Sequence, residues 1–164
     1  MRQPHLIRYG AAFIADDATI VGDVTLGKDV NVWYGTVVRG DVAPITIGAR
    51  TNLQDLTVVH PQHDEDVVVG EDCVVGHGVM LHGRTVGDRC LIGMGSILLP
   101  GSHIGDESLV AAGALVPMGM EVPPRSLVLG SPARVVRDVT SDELQMFAES
   151  VKRYLDLVRE HLRD

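Results

Sequence analysis

Aromatic residues are scarce in this 164-residue chain: one Trp, three Tyr and two Phe stand beside a hydrophobic content of 45%. A core with so few rings is packed from branched aliphatics and small residues. Cysteine is scarcer still, and Cys73 and Cys90 alone make no disulfide framework. Lys and Arg number 14 against 22 acidic residues, giving a formal net charge of −8, and they form no basic block. Nucleic acid and membrane surfaces are therefore not expected as partners, which leaves small molecules and proteins. Long apolar runs are missing too. The longest nearly apolar stretch, residues 109–116, is far below the roughly 20 residues needed to span a bilayer. The first ten residues, MRQPHLIRYG, lack the apolar centre of a signal peptide, so a cytoplasmic, single-domain protein is expected. Glycine, by contrast, is abundant, with 18 residues, about 11% against a usual ~7%.

An aliphatic residue returns every six positions, commonly followed by Gly. The run is Ile14, Ile20, Leu26, Val32, Val38; Ile47, Leu53, Val59; Val69, Val75, Leu81; and Val86, Ile92, Leu98, Ile104, Val110, Val116. The register breaks three times, with three residues added between Val38 and Ile47, four added between Val59 and Val69, and one missing between Leu81 and Val86. Insertions between regular units read as loops on one face of a solenoid. A period of six is neither helical nor a simple alternation. It suits a short strand plus a corner, three of which close a triangular coil of about 18 residues. The pattern resembles the hexapeptide-repeat, left-handed parallel β-helix, and that resemblance supplies the hand, an exception to the usual right-handed crossover. The expected fold class is thus an all-β solenoid with a C-terminal α-helix. Small residues four places after the aliphatic, such as Ala18, Val24, Thr51, Thr57, Cys73, Thr85, Cys90, Ser96, Ser108 and Ala114, suit a tight interior corner. Roughly five and a half coils span residues 11–122.

Residues 125–139 read as an extended return without the hexad, completing a β-helical unit over 1–139. Thr140 with Glu143 forms a capping box. Leu144, Phe147, Val151, Leu155, Val158 and Leu162 then fall at helical spacing, which predicts one amphipathic helix over 141–162, in a segment 140–164 that covers a flank of the solenoid.

Counting coils, His60 and His82 stack on one corner, with Arg39 beneath them. Adjacent coils lie about 4.8 Å apart, so both imidazoles can reach one metal with Zn–N distances near 2.0–2.1 Å. His77 precedes His82 by five residues along an extended face, about 16 Å away at ~3.3 Å per residue. Two histidines sharing a zinc have Cα atoms no more than roughly 13 Å apart. His77 therefore joins the other two most easily from a neighbouring subunit. Asp55 stacks under His77, with Gln54 beside it. A site of this kind combines Arg39, His60 and His82 of one chain with Gln54, Asp55 and His77 of the next.

VVRGD (37–41), TNLQDLTVVH (51–60) and VGHGVMLHG (75–83) resemble the signature of the gamma-class carbonic anhydrase family. The likeness covers nearly the whole chain. It implies reversible hydration of CO₂ to bicarbonate, with His60, His77 and His82 binding zinc at the interfaces of a homotrimer. It also implies an ion pair of Arg39 and Asp41, a hydrogen bond from Gln54 to the metal-bound water, and supporting roles for Asn52 and Asp55. Three neutral imidazoles leave the fourth tetrahedral position open, the pattern of a catalytic zinc, which lowers the pKa of its water to about 7. Cobalt or iron suit imidazole ligands as well. Tyr154 aligns with a helix tyrosine that reaches the site in some relatives, although its spacing with Val151 and Val158 favours packing.

The chain departs from well-characterised active members at proton export. They carry a Glu where this chain has Val42, and a longer acidic loop where only residues 61–68 intervene here. Weak activity is the consequence expected; His63 or Glu65 are the substitutes at hand, in a loop that otherwise reads as a solvated turn. Plainer readings exist for the rest. Gln54 and Asp55 suit a polar ladder, His5, His103 and His161 suit ordinary solvated positions, and Cys73 and Cys90 suit two stacked, inert thiols. Competing functions are a hexapeptide acyltransferase with a His general base, an acyl-CoA thioesterase, and a non-catalytic metal-binding assembly subunit.

Overall fold

A computed structural model describes residues 5–163; the outermost residues of the two expected segments, 1–4 and 164, lie outside the described residues. The chain opens with a hairpin of β1 (Leu6–Tyr9) and β2 (Ala12–Ala15). A solenoid follows, through β3 (Thr19–Leu26), β4 (Asn31–Val32), β5 (Val37–Ile47), β6 (Asn52–Leu53), β7 (Val58–Val59), β8 (Val67–Val69), β9 (Val74–Val75) and β10 (Met80–Leu81). Two-residue strands β11 to β17 continue it from Thr85–Val86 to Glu121–Val122. After them come β18 (Ser126–Gly130), β19 (Ala133–Asp138) and helix α1 (Ser141–His161).

Each repeated aliphatic meets its counterpart one coil away in parallel register, in three columns. Ile14, Val32, Leu53, Val75, Ile92, Val110 and Val128 form the first column. Ile20, Val38, Val59, Leu81, Leu98 and Val116 form the second. Leu26, Ile47, Val69, Val86, Ile104 and Val122 form the third. These columns are the core of a triangular prism, and beyond the first coil their members are nearly fully buried. Burying each such side chain contributes about 1.5–3 kcal/mol. At the N-terminal end, Ile14, Ile20, Val24 and Leu26 of the first coil line, with Asp16, an open cavity of about 530 Å³.

Small residues fill the interior corners because the chain turns there within one residue. Thr51, Thr57, Cys73, Cys90, Ser96, Ser108 and Ala114 are buried, whereas Ala18, Val24 and Thr85 remain partly open. Most of these hydroxyls and thiols donate to carbonyls of the next coil, as in Thr51 Oγ1 to Gly70 O at 2.7 Å and Cys73 Sγ to Gly87 O at 3.0 Å, whereas Ser96 donates to Gly93 O within its own coil. Both cysteines are free, and the hydrogen bond with Cys90, followed by burial, pushes the Cys73 thiol well up. Such thiols are poor nucleophiles at neutral pH.

Three long edges run along the prism. On the first, backbone hydrogen bonds stack the corners of Tyr34, Asp55, His77, Met94 and Ala112. The second carries His60 and His82, and all three register breaks fall on it. Between Gly40 and Ile45 of β5, residues 41–44 bulge opposite Asp23 alone in β3. Gly22 and Gly40 permit this crossing, since a Cβ on Gly22 would stand 2.1 Å from the Gly40 carbonyl oxygen. The third edge places Asp29, Arg50, Asp72, Arg89, Glu107 and Arg125 one per coil, each with positive φ.

Residues 125–139 differ from the expected return. Ser126–Gly130 is a last rung, with Val128 buried in register with Val110, because the six-residue step continues through Val122 to Val128. Only Ala133–Asp138 turns back, antiparallel to it. Helix α1 begins with the expected capping box of Thr140 and Glu143. It buries Phe147, Val151 and Val158, the last against Leu6, Phe13 and Trp33. No helix among the described residues is long and apolar enough to cross a membrane.

Candidate functional site

On the second edge the rings of His60 and His82 stack with centroids 5.4 Å apart and planes 6° from parallel. The His82 Nδ1–H donates to the His60 carbonyl oxygen. That bond selects the tautomer with a lone pair on Nε2 and fixes the ring, as the outer partner of a metal-ligating histidine does. The bulge brings Asp41 alongside, its Oδ1 3.1 Å from His60 Nε2, while Arg39 Nη1 donates to Asp41 Oδ2 at 2.5 Å. The Arg39 guanidinium, and then His60, hold the Asp41 carboxyl below the usual carboxylate range. Arg39, Asp41, His60 and His82 thus form one cluster, with Asp41 as the link between Arg39 and His60.

The first edge holds the other half. His77 Nδ1 is 2.7 Å from Asp55 Oδ2, so the carboxylate orients the ring and leaves Nε2 as its outward acceptor. Gln54 and Asn52 are buried in the same coil, and Gln54 Nε2 donates to Asn52 Oδ1 at 3.1 Å, while Asn52 Nδ2 donates to the Cys73 carbonyl at 3.3 Å. With its amide nitrogen held by Asn52, Gln54 presents Oε1 as an acceptor. Asn52 and Gln54 are thus tied to each other, and Asp55 is tied separately to His77.

Tyr154 does both things that its position allows. Its ring packs edge-on against Trp33 at 5.3 Å, and its hydroxyl lies 3.4 Å from His77 Nε2. Burial, and secondarily Asp55, push its phenol pKa up, so it remains a proton donor at neutral pH. Its spacing favoured packing alone because helical periodicity reports which face is covered, not how far a hydroxyl reaches. His161 is a second residue whose place the sequence did not show. It packs edge-on against Trp33, with Nδ1 2.8 Å from the Tyr34 hydroxyl. An aromatic group near the chain end is the signal available for it. His63 lies on the loop with its ring beside Asp64, and His103 faces Glu121 at 3.7 Å.

The two halves stand at opposite ends of β10, with His77 before it and His82 after it. Among the described residues, no three His, Cys, Asp or Glu side chains of a single chain gather into a metal-holding group. The donor chemistry nevertheless suits a divalent ion with a preference for imidazole, since His77 and His82 each have Nδ1 engaged and so carry the lone pair on Nε2, that of His77 bordered by the Tyr154 hydroxyl. Two cavities, of about 530 and 300 Å³, lie away from both histidine edges, at the N-terminal mouth and under α1.

Residues 85–117 match the family model described as bacterial transferase hexapeptide, six repeats. Among curated proteins, the chain is 47% identical over 146 residues to a carbonic anhydrase of Geobacillus kaustophilus, covering 89% of this chain and 80% of that protein. It is 37% identical over 155 residues to the mitochondrial gamma carbonic anhydrase 2 of Arabidopsis thaliana, covering 91% of this chain and 56% of that protein. Among solved structures, a hexapeptide transferase family protein from Anaplasma phagocytophilum superposes with a TM-score of 0.82 at 37% identity, over 96% of this chain and 98% of that one.

Proposed function

We propose, for a chain that belongs to the gamma-class carbonic anhydrase family, the reversible hydration of CO₂ to bicarbonate at a metal shared between neighbouring copies in a homotrimer. The observation that carries this reading is the placement of three oriented imidazoles on two edges. His60 and His82 stack on the second edge, and His77 is fixed by Asp55 on the first. A heterologous contact of first edge with second edge, repeated around a threefold axis, closes a ring. Zinc is the ion these ligands suit, with cobalt and iron as alternatives, and when bound it supplies Lewis acidity and activates water at neutral pH.

The remaining roles belong to this chain's own side chains. His60, His77 and His82 hold the ion. Asp55 and the His60 carbonyl keep two of those rings in the required tautomer. Asn52 holds the Gln54 amide so that Oε1 accepts a hydrogen bond from the attacking oxygen and aims it at the carbon of CO₂. The Tyr154 hydroxyl borders the site from α1. Arg39 secures the Asp41 carboxylate beside His60. Each hydration releases one proton, and the bulge carries Val42 next to Asp41, without an acceptor at that position. Export then falls to the buffer, so hydration is slow at low buffer concentration and rises as imidazole is added.

Stopped-flow CO₂ hydration at increasing imidazole, with metal content and molar mass measured on the same sample, tests this reading. Expected are one metal per chain, a trimer, and a kcat that climbs with buffer. A monomer with full metal content would overturn the shared site. Zinc-loaded protein inactive at every buffer concentration would leave the assembly or thioesterase reading. The transferase reading follows from the family name of a structural relative. Three oriented imidazoles exceed its need for one general base, and acetyl-CoA binding by calorimetry separates it.

A further inference from the structure

In five successive coils the first edge turns through a residue with positive φ. That residue is glycine in four of five coils: Gly35 (φ 64°), Gly78 (66°), Gly95 (66°) and Gly113 (69°). The fifth is Leu56, with φ 61°. A branched, apolar side chain is disfavoured in this conformation, and glycine at the equivalent positions shows that the corner does not require one. Leu56 is also 68% exposed, so the strain secures no packing in the core of its own chain. Its side chain lies along the edge over Gly35, where a Cβ would stand 2.9 Å from Leu56 Cδ2. Residues with the same φ on the third edge, such as Arg50, Asp72, Arg89 and Glu107, are charged and paired within the chain, whereas Leu56 is apolar and departs from glycine on its own edge.

We infer that Leu56 is the apolar anchor by which this edge seats against the second edge of another copy of the chain. This rests on the shared-site reading above and adds the residue that makes the seam. The occupant follows from position. Leu56 is adjacent to Asp55, which holds His77, and it lies in the same coil as His60. Rotation about an axis parallel to the prism keeps coils level, so the edge carrying Leu56 meets the neighbour's second edge at the height of His60. That second edge offers an apolar counterpart in Val42, 37% exposed on the bulge beside Asp41. The face between the two edges continues the apolar surface, with Met80 and Ile97 stacked one coil apart and exposed by 48% and 37%. An uncharged leucine at the centre of such a patch suits the dry core of an interface rimmed by polar groups.

Leu56→Ala removes the anchor and keeps the strained corner; Leu56→Gly removes both. Because the side chain is exposed, both variants fold, which the emission of the single tryptophan, Trp33, reports. Sedimentation velocity over a dilution series reads the assembly directly. The concentration of half-dissociation should rise by roughly tenfold or more in both variants. At dilutions where all three proteins are dissociated, Leu56→Gly should unfold at a denaturant concentration equal to or above that of wild type. If both variants assemble at the wild-type concentration, the anchor is refuted while the shared site stands. If wild type itself sediments as a monomer throughout, the shared-site reading falls and the anchor with it.

Discussion

The third edge of the prism and the two histidine edges meet the same geometric demand with opposite chemistry. Every coil must turn through a left-handed residue at the third edge, and there the chain uses Asp29, Arg50, Asp72, Arg89, Glu107 and Arg125, alternating in sign from coil to coil. Arg50 donates from Nε and Nη2 to the two Asp72 oxygens at 2.6 and 2.7 Å, and Glu107 receives Arg89 at 3.1 Å with Arg125 at 3.5 Å. That ladder is regular and satisfied within one chain. The second edge contains every register break, and the first contains a strained leucine beside an oriented histidine. Regularity marks the edge that holds the coils together, and irregularity marks the edges that present side chains outward.

This contrast is sharpened most by the histidines. His60→Ala, His77→Ala and His82→Ala should each abolish stoichiometric metal and hydration while changing the unfolding free energy, compared in chelator with metal-free wild type, by less than about 1 kcal/mol. Metal analysis beside urea denaturation measures both. Mixing His60→Ala with His77→Ala chains should restore part of the metal, because some seams then draw both intact edges from different partners. Tight metal retained by His77→Ala would contradict a shared site. Next in size is Gln54→Ala, expected to lower kcat about 10- to 100-fold at every buffer concentration with metal intact. A defect that imidazole rescues would place Gln54 in proton export instead.

The third edge should respond in the reverse sense. Arg50→Ala leaves metal content unchanged and lowers stability by about 0.5–1 kcal/mol, since its partners are partly exposed and screened by salt. Loss of metal in that variant would show the edges to be coupled. An effect of similar size, confined to α1, lies at the helix cap. Arg137, followed by the Thr140 backbone N–H, holds Glu143 down to about 2 from 4.5. A depressed carboxyl stabilises the fold above its unfolded value, and that contribution fades as pH falls from about 4.5 through 2. Thr140→Ala should therefore cost about 1 kcal/mol at pH 7 and less at pH 2, by urea unfolding.

Much of the candidate site was legible because stacking in a solenoid is arithmetic. Once the aliphatic column sets the register, Asp55 under His77 and His60 under His82 follow, and both pairs are in contact. The capping box and the buried face of α1 were legible for the same local reason. Ser126–Gly130 escaped because Pro123 and Pro124 read as the end of the solenoid, although the six-residue step itself runs on to Val128. The aromatic cluster of Trp33, Tyr34, Tyr154 and His161 joins residues more than 100 positions apart, and no period connects them.

The six-residue recurrence by itself determines the coil, the inward columns and the stacking of each corner residue. Every rung repeats the same local choice, and one slipped register would expose the whole aliphatic column that follows. Tertiary structure alone decides what reaches across. It swings Asp41 onto His60 through a bulge and lays α1 so that the Tyr154 hydroxyl meets His77. The orientation of the Gln54 amide belongs with these. Such contacts depend on side-chain reach and on the path of inserted residues, and neither is encoded in the spacing of hydrophobic positions.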